Sequence, residues 1–202
     1  MKNAPYVIGI LISIVLAYFG FSNSKNSTTK SVTEPSSTVE GTNNMSNLQF
    51  PGILPDDKIK NKKAVITTNK GVIEFELYAN KAPKTVSNFV YLAENKFYDG
   101  LTFHRVEPGF VIQGGDPNGT GTGGPGYKFE DEPVQGDYLL GTVAMANSGP
   151  DTNGSQFFVC LDNLQNNLQK NYNLFGQVTK GIDTVKQIQV GDKMESVKIE
   201  NK

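Results

Sequence analysis

Two β-rich runs, Ala64 to Thr68 and Val72 to Leu77, flank the turn residues Asn69-Lys70-Gly71, and in the second run Ile73, Phe75 and Leu77 alternate with Glu74 and Glu76. Successive side chains leave a strand on opposite faces, so this pattern gives one dry and one wet face, and Gly71 supplies the positive φ that a short hairpin needs. The next segment changes period. Ala82-Pro83-Lys84-Thr85 opens a helix with Pro in its first turn, and Val86, Phe89, Val90 and Ala93 recur at three and four to make an apolar stripe that ends near Asn95. Tyr98-Asp99-Gly100 then turns the chain. Leu101–Val106 and Phe110–Gln113 read as strands split at Pro108-Gly109, and after a glycine-rich loop come Leu139–Ala146, Gln156–Leu161, Asn173–Val178 and Glu195–Glu200, with a second helix over Ile182–Ile188. Many short strands with two helices predict a mainly β fold closed into an antiparallel barrel, because closure removes the edges that an open sheet must protect.

The amino-terminal part has a different character. Ala4 to Phe21 is uncharged and dense in Ile, Val and Leu, which just suffices for the about 17 to 25 residues that cross a hydrocarbon core. A small-x-small cleavage site is poorly matched at its end, so residues 1–21 are expected to form a single hydrophobic helix acting as an uncleaved signal anchor, with a cleaved secretory signal as the alternative. Both place the remainder of the chain outside the cytoplasm, on the cell membrane in a single pass or secreted. Residues 22–55 are rich in Ser, Thr and Asn and have few large apolar groups, which predicts a flexible linker. The folded domain is expected over residues 56–202.

The 202 residues carry a formal net charge of -1, with a pI near 5.9, so nothing marks the chain for gripping nucleic acid. One Cys and one His leave no disulfide framework and none of the usual zinc sets, and no cofactor or metal is expected. Gly119-Thr120-Gly121-Thr122-Gly123-Gly124 satisfies G-x-G-x-x-G, but Pro125-Gly126 comes next where a dinucleotide site needs a helix to begin. Strand alternation places His104 on the face opposite Arg105, as a hydrogen-bonded packing residue. Cys160, in Q-F-F-V-C-L, reads as a small buried hydrophobe. Asp116, Glu130, Asp131 and Glu132 read as turn and surface residues, since they lack the spacing of a Ca²⁺ loop.

Two stretches concentrate the remaining signal. Phe103 to Asp116, F-H-R-V-E-P-G-F-V-I-Q-G-G-D, sets one guanidinium, Arg105, among apolar side chains. That placement costs solvation unless a partner or substrate compensates, and a peptide is the partner expected. Met145 to Phe158, M-A-N-S-G-P-D-T-N-G-S-Q-F-F, is a polar turn between two strands, with Gln156 and Phe158 on one face of the second.

Together with G-T-G-T-G-G-P-G-Y, N-L-F-G-Q-V and A-P-K-T-V-S-N-F at the first helix, these stretches resemble the cyclophilin peptidyl-prolyl isomerases from about Ala64 to the C-terminus. The resemblance implies an eight-stranded barrel capped by two helices, with the site on its outer face and proline-containing polypeptides as substrates. It places the family's catalytic arginine on Arg105, its proline pocket on Phe110, Val111, Phe158 and Leu168, and its backbone and amide contacts on Gln113, Gly121, Ala146, Asn147 and Gln156. Where the best-known eukaryotic pattern has Trp this chain has Asn167, and where it has a pocket-lining His it has Tyr172, whose ring can still cover a proline. Val111 stands where Met is common. The catalytic domain is expected to be monomeric. A tethered module that binds proline segments without catalysis, and a stalk whose barrel is only structural, are the competing readings of the same residues.

Overall fold

The computed structural model describes residues 48–202. The apolar helix expected over residues 1–21 and the linker up to residue 47 lie outside the described residues. Among the described residues, no helix is long and apolar enough to cross a membrane.

Within residues 48–202, eight antiparallel strands make one curled sheet, accompanied by three helices. In chain order they are α1 (Asp56–Ile59), β1 (Lys62–Thr68), β2 (Gly71–Leu77), α2 (Pro83–Glu94), β3 (Phe103–Glu107), β4 (Val111–Gly114), β5 (Thr142–Met145), β6 (Phe157–Cys160), β7 (Leu174–Lys180), α3 (Ile182–Gln187) and β8 (Met194–Asn201). Across the sheet the order is β3-β4-β6-β5-β7-β2-β1-β8. The hairpin pairs Ala64 with Phe75 and Ile66 with Ile73, and all four are buried, while the glutamates of β2 face outward. At the two ends of the sheet, the segments leading into β3 and β8 exchange main-chain bonds: Gly100 N donates to Met194 O (2.7 Å), Met194 N to Leu101 O (2.8 Å), Phe103 N to Asp192 O (2.9 Å) and Gly191 N to Phe103 O (3.0 Å).

The larger core lies between α2 and the sheet. The stripe Val86, Phe89, Val90 and Ala93 is buried as its spacing predicts. Phe89 packs edge-on against Phe75 (5.4 Å between centroids) and Phe157 (5.6 Å), and stacks on Tyr98 (4.9 Å). A smaller cluster of Val111, Tyr138, Ala144, Phe158, Cys160, Leu164 and Leu174 forms a second core, with Phe110, Leu168 and Tyr172 packed against it.

Three features differ from the expectation. The folded part begins by Leu48, before residue 56, because Leu48, Phe50 and Leu54 pack on the larger core and Phe50 stacks on Phe129 at 4.9 Å. A third helix, α1, adds a single turn. Two of the four carboxylates expected at the surface, Asp116 and Glu132, are buried. Glu132 accepts from Lys84 N (2.9 Å), Thr85 N (2.8 Å) and Thr85 Oγ1 (2.7 Å), closing the start of α2, whose N-cap residue, Ala82, has no side-chain acceptor. Burial there is tolerable because every bond is to an otherwise unsatisfied helix donor or a hydroxyl.

Candidate active site

Register places the site. Arg105 pairs with Gln113, Gln113 with Phe158 and Phe158 with Ala144, so these residues form one row across β3, β4, β6 and β5 and project from a common face. Val111, two residues before Gln113, shares that face. Arg105 reaches it through an irregularity. Phe103 opposes Gly114 and Arg105 opposes Gln113, so β3 holds one residue more than its partner between these pairs, and that residue is His104. In a regular strand Phe103 and Arg105 would point the same way. The bulge lets Phe103 bury in the larger core while the Arg105 side chain stays 46% exposed on the outer face.

The bulge also corrects the expectation for His104. It lines the same cavity as Arg105 and is not behind the strand. Both ring nitrogens are buried without a hydrogen-bond partner, so it is not a bonded packing residue. Burial pushes its pKa down; Asp116 opposes this, and Arg105 adds to it.

The cavity on this face has a volume of about 440 Å³, and Arg105, Phe110, Val111, Gln113, Gly121, Ala146, Asn147, Phe158, Leu168 and Tyr172 all line it. Gln156 lines an adjoining cavity of about 600 Å³, which shares Gln113, Gly121, Ala146 and Asn147 with the first. Val111 and Phe158 make an apolar floor, and the Phe158 and Tyr172 rings meet edge to face at 5.5 Å. Tyr138, which sequence reasoning missed, fixes Tyr172: its hydroxyl donates to Tyr172 O (2.7 Å) and accepts from Tyr172 N (3.1 Å). Burial pushes the Tyr138 phenol up to about 12, against the lowering effect of the Tyr172 main chain, so it stays a neutral donor.

A chain of hydrogen bonds runs along the rim. Arg105 Nη1 donates to Gln113 Oε1 (3.3 Å), Gln113 Nε2 to Gln156 Oε1 (2.9 Å), and Gln156 Nε2 to Gly123 O (2.9 Å). The guanidinium carbon lies 5.8 Å from the Phe110 ring centre, and Nε lies 3.7 Å from Glu107 Oε1. That ion pair is half-exposed on both sides and contributes little. Arg105 is therefore at the rim, less enclosed by apolar groups than its sequence neighbours suggest, because Phe103 and Ile112 belong to the opposite core. Asn147 Nδ2 donates to Asn171 O (2.8 Å), holding the turn beside the cavity.

The glycine-rich loop has no helix after it; the next helix in the chain is α3. It is fastened to Asp116 instead. Cys160 is buried in the second core, and burial pushes its thiol up to about 12, as expected of an inert hydrophobe. Glu130 pairs with Lys84 at the surface (3.2 Å). Among the described residues, no group of three His, Cys, Asp or Glu is placed to hold a metal.

The site thus sets an apolar floor next to a rim of amide and guanidinium donors, on the outer face of a curled antiparallel sheet. The profile of the cyclophilin type peptidyl-prolyl cis-trans isomerase/CLD family matches residues 63–202. A peptidyl-prolyl cis-trans isomerase of Synechococcus elongatus is 48% identical over 139 residues, covering 68% of this chain and 95% of the relative. Peptidyl-prolyl cis-trans isomerase B of Bacillus subtilis is 52% identical over 130 residues, covering 63% and 90%. A crystal structure of a cyclophilin type isomerase of Cryptosporidium parvum, solved in the presence of the dipeptide Ala-Pro, superposes with a TM-score of 0.64 at 33% identity, over 69% of this chain and 99% of that one. The chain belongs to the cyclophilin-type peptidyl-prolyl cis-trans isomerases.

Proposed function

We propose that the 440 Å³ cavity binds the proline ring of a polypeptide and that Arg105 is the group that accelerates rotation about the preceding bond. The observation that carries this is the register row of Arg105, Gln113 and Phe158, which sets a donor, an amide and an apolar floor side by side.

A prolyl amide resists rotation because resonance gives its C–N bond double-bond character, with a barrier of about 18–20 kcal/mol. Twisting localises the lone pair on nitrogen. A guanidinium N–H can donate to that nitrogen in the twisted state and finds no such acceptor in the planar one, so the interaction lowers the barrier without tightening ground-state binding. Phe110, Val111, Phe158 and Leu168 hold the ring, Tyr172 closes one side, and Gln113, Asn147 and Gln156 engage the flanking main chain while the carbonyl turns. No covalent intermediate and no net proton transfer is required. A thousandfold acceleration asks for roughly 4 kcal/mol, within the range of one well-placed charged donor together with orientation.

The main-chain bonds between residues 100–103 and 191–194 support reading the sheet as a closed barrel. The apolar run of residues 4–21 supports an anchored, extracytoplasmic isomerase that assists folding of exported polypeptides as a monomer. Exchange spectroscopy on an Xaa-Pro peptide with the full-length chain tests the catalytic assignment. Arg105→Ala is expected to lower the catalysed rate about a hundredfold or more, with a smaller effect on peptide affinity. Binding without acceleration by the wild type would refute catalysis and leave only a binding module. Release of the full-length protein from membranes by alkaline carbonate would refute the anchor.

A further inference from the structure

The Arg105 guanidinium offers only donors, so the group that aims it must present an oxygen. A glutamine amide can present either end, and two amides bonded in series turn over together. In the chain from Arg105 to Gly123 the direction is set at the far end, because a main-chain carbonyl can only accept. Once Gln156 commits Nε2 to Gly123 O, its Oε1 is left for Gln113 Nε2, and Gln113 Oε1 is left for Arg105. If Gly123 O moved away, both amides could invert, and Gln113 would set N–H groups against the guanidinium.

Asp116 keeps Gly123 in place. It lines neither cavity and is 1% exposed. Its carboxylate accepts from the main-chain N–H groups of Asn118 (2.8 Å), Thr120 (3.0 Å) and Gly121 (2.5 Å). The loop lies so close that a Cβ on Gly123 would sit 2.0 Å from Asp116 Oδ1. Burial raises the Asp116 carboxyl, but the donors of Asn118, Gly123, Gly121 and Thr120 outweigh it and hold the group ionised, with a pKa below its ordinary value.

We propose that Asp116 is a positioning residue for the isomerisation: by seating the glycine-rich loop it sets the direction of the two-amide chain and so aims the Arg105 guanidinium at the prolyl nitrogen. This rests on the catalytic role proposed for Arg105. An aim that matters only to the twisted state alters the catalysed rate and leaves binding of the planar peptide nearly untouched.

The test is a cycle on the full-length chain, comparing Asp116→Asn, Arg105→Ala and the double variant by exchange spectroscopy, which reads the on-enzyme rate and Kd together. Asp116→Asn is expected to lower the rate about tenfold with Kd within about twofold, and to cost less than about twofold further in the Arg105→Ala background. Gly123→Ala, which pushes the loop off an intact carboxylate, is expected to give the same pattern and replaces Asp116→Asn if that variant does not fold. An unchanged rate, a loss confined to Kd, or an equal tenfold loss on top of Arg105→Ala would each overturn the inference. A wild-type rate in Arg105→Ala alone would refute the catalytic assignment itself, whereas a collapse there beside an unaffected Asp116→Asn refutes only the role of Asp116.

Discussion

Glu132→Ala is expected to destabilise the domain by about 3 kcal/mol, a figure built from donors that can be counted. The start of α2 has three non-proline N–H groups without a helical acceptor. Ala82 N is met by Tyr78 O, and Lys84 N and Thr85 N both donate to the Glu132 carboxylate. Pro83, at the first helical position, has no N–H to satisfy. Removing Glu132 therefore strands two donors, each in a charge-assisted bond worth about 1.5–3 kcal/mol, beside a glutamate only 9% exposed. Two bonds at the low end give the estimate; water entering the vacated space argues against the high end. Glu132→Gln keeps one acceptor and turns an NH₂ toward the other donor, so about two-thirds of the loss is expected to remain. Urea denaturation at neutral pH measures both, and a loss of about 3 kcal/mol in a domain of this size lowers Tm by about 6–12 °C. If both variants fall within about 0.5 kcal/mol of wild type, the helix end is satisfied by other means and the reasoning fails.

His104 offers a pH test with one titrating group, since the chain has a single histidine. Its folded pKa is depressed below 6.5 chiefly by burial, so its stability contribution is complete above 6.5 and is lost as pH falls through the lower folded value. His104→Gln should flatten the urea-midpoint profile across that window, and equal acid slopes in both proteins would contradict it. Tyr138→Phe removes both bonds to the Tyr172 main chain; calorimetric titration is expected to show a severalfold weaker Kd for a proline peptide with the on-enzyme rate retained, and an unchanged Kd would show that Tyr172 needs no such support.

The elements that could be read from sequence are those whose signal is local. The alternation in β2 and the three-four stripe in α2 each lie within a dozen residues, and each predicts its own burial. The residues that line the two cavities could be singled out in the sequence only through motifs that a resemblance supplies. What escaped was set by pairing at a distance. Nothing near His104 in the sequence marks a bulge, because a bulge is a count of β3 against β4, and a strict period-2 reading therefore sent His104 to the wrong face. Glu132 looks like one of three surface acids in E-D-E, and only the approach of α2, 47 or 48 residues earlier in the chain, turns it into a cap. Tyr138 escaped for the same reason: its role exists only once Tyr172 has been brought beside it.

The sheet order has a consequence for how the chain can be made. β1 lies between β2 and β8, and Lys62 is paired with Asn201 from the opposite end of the domain. A chain emerging from the ribosome can form the β1–β2 hairpin early, but one side of β1 stays unpaired until β8 is released. The nascent domain therefore presents an open strand edge until β8 emerges, and this pairing joins residues more than a hundred positions apart. Removing the whole of Met194–Asn201 would leave one side of β1 without a partner, so the first strand of the domain depends on its last.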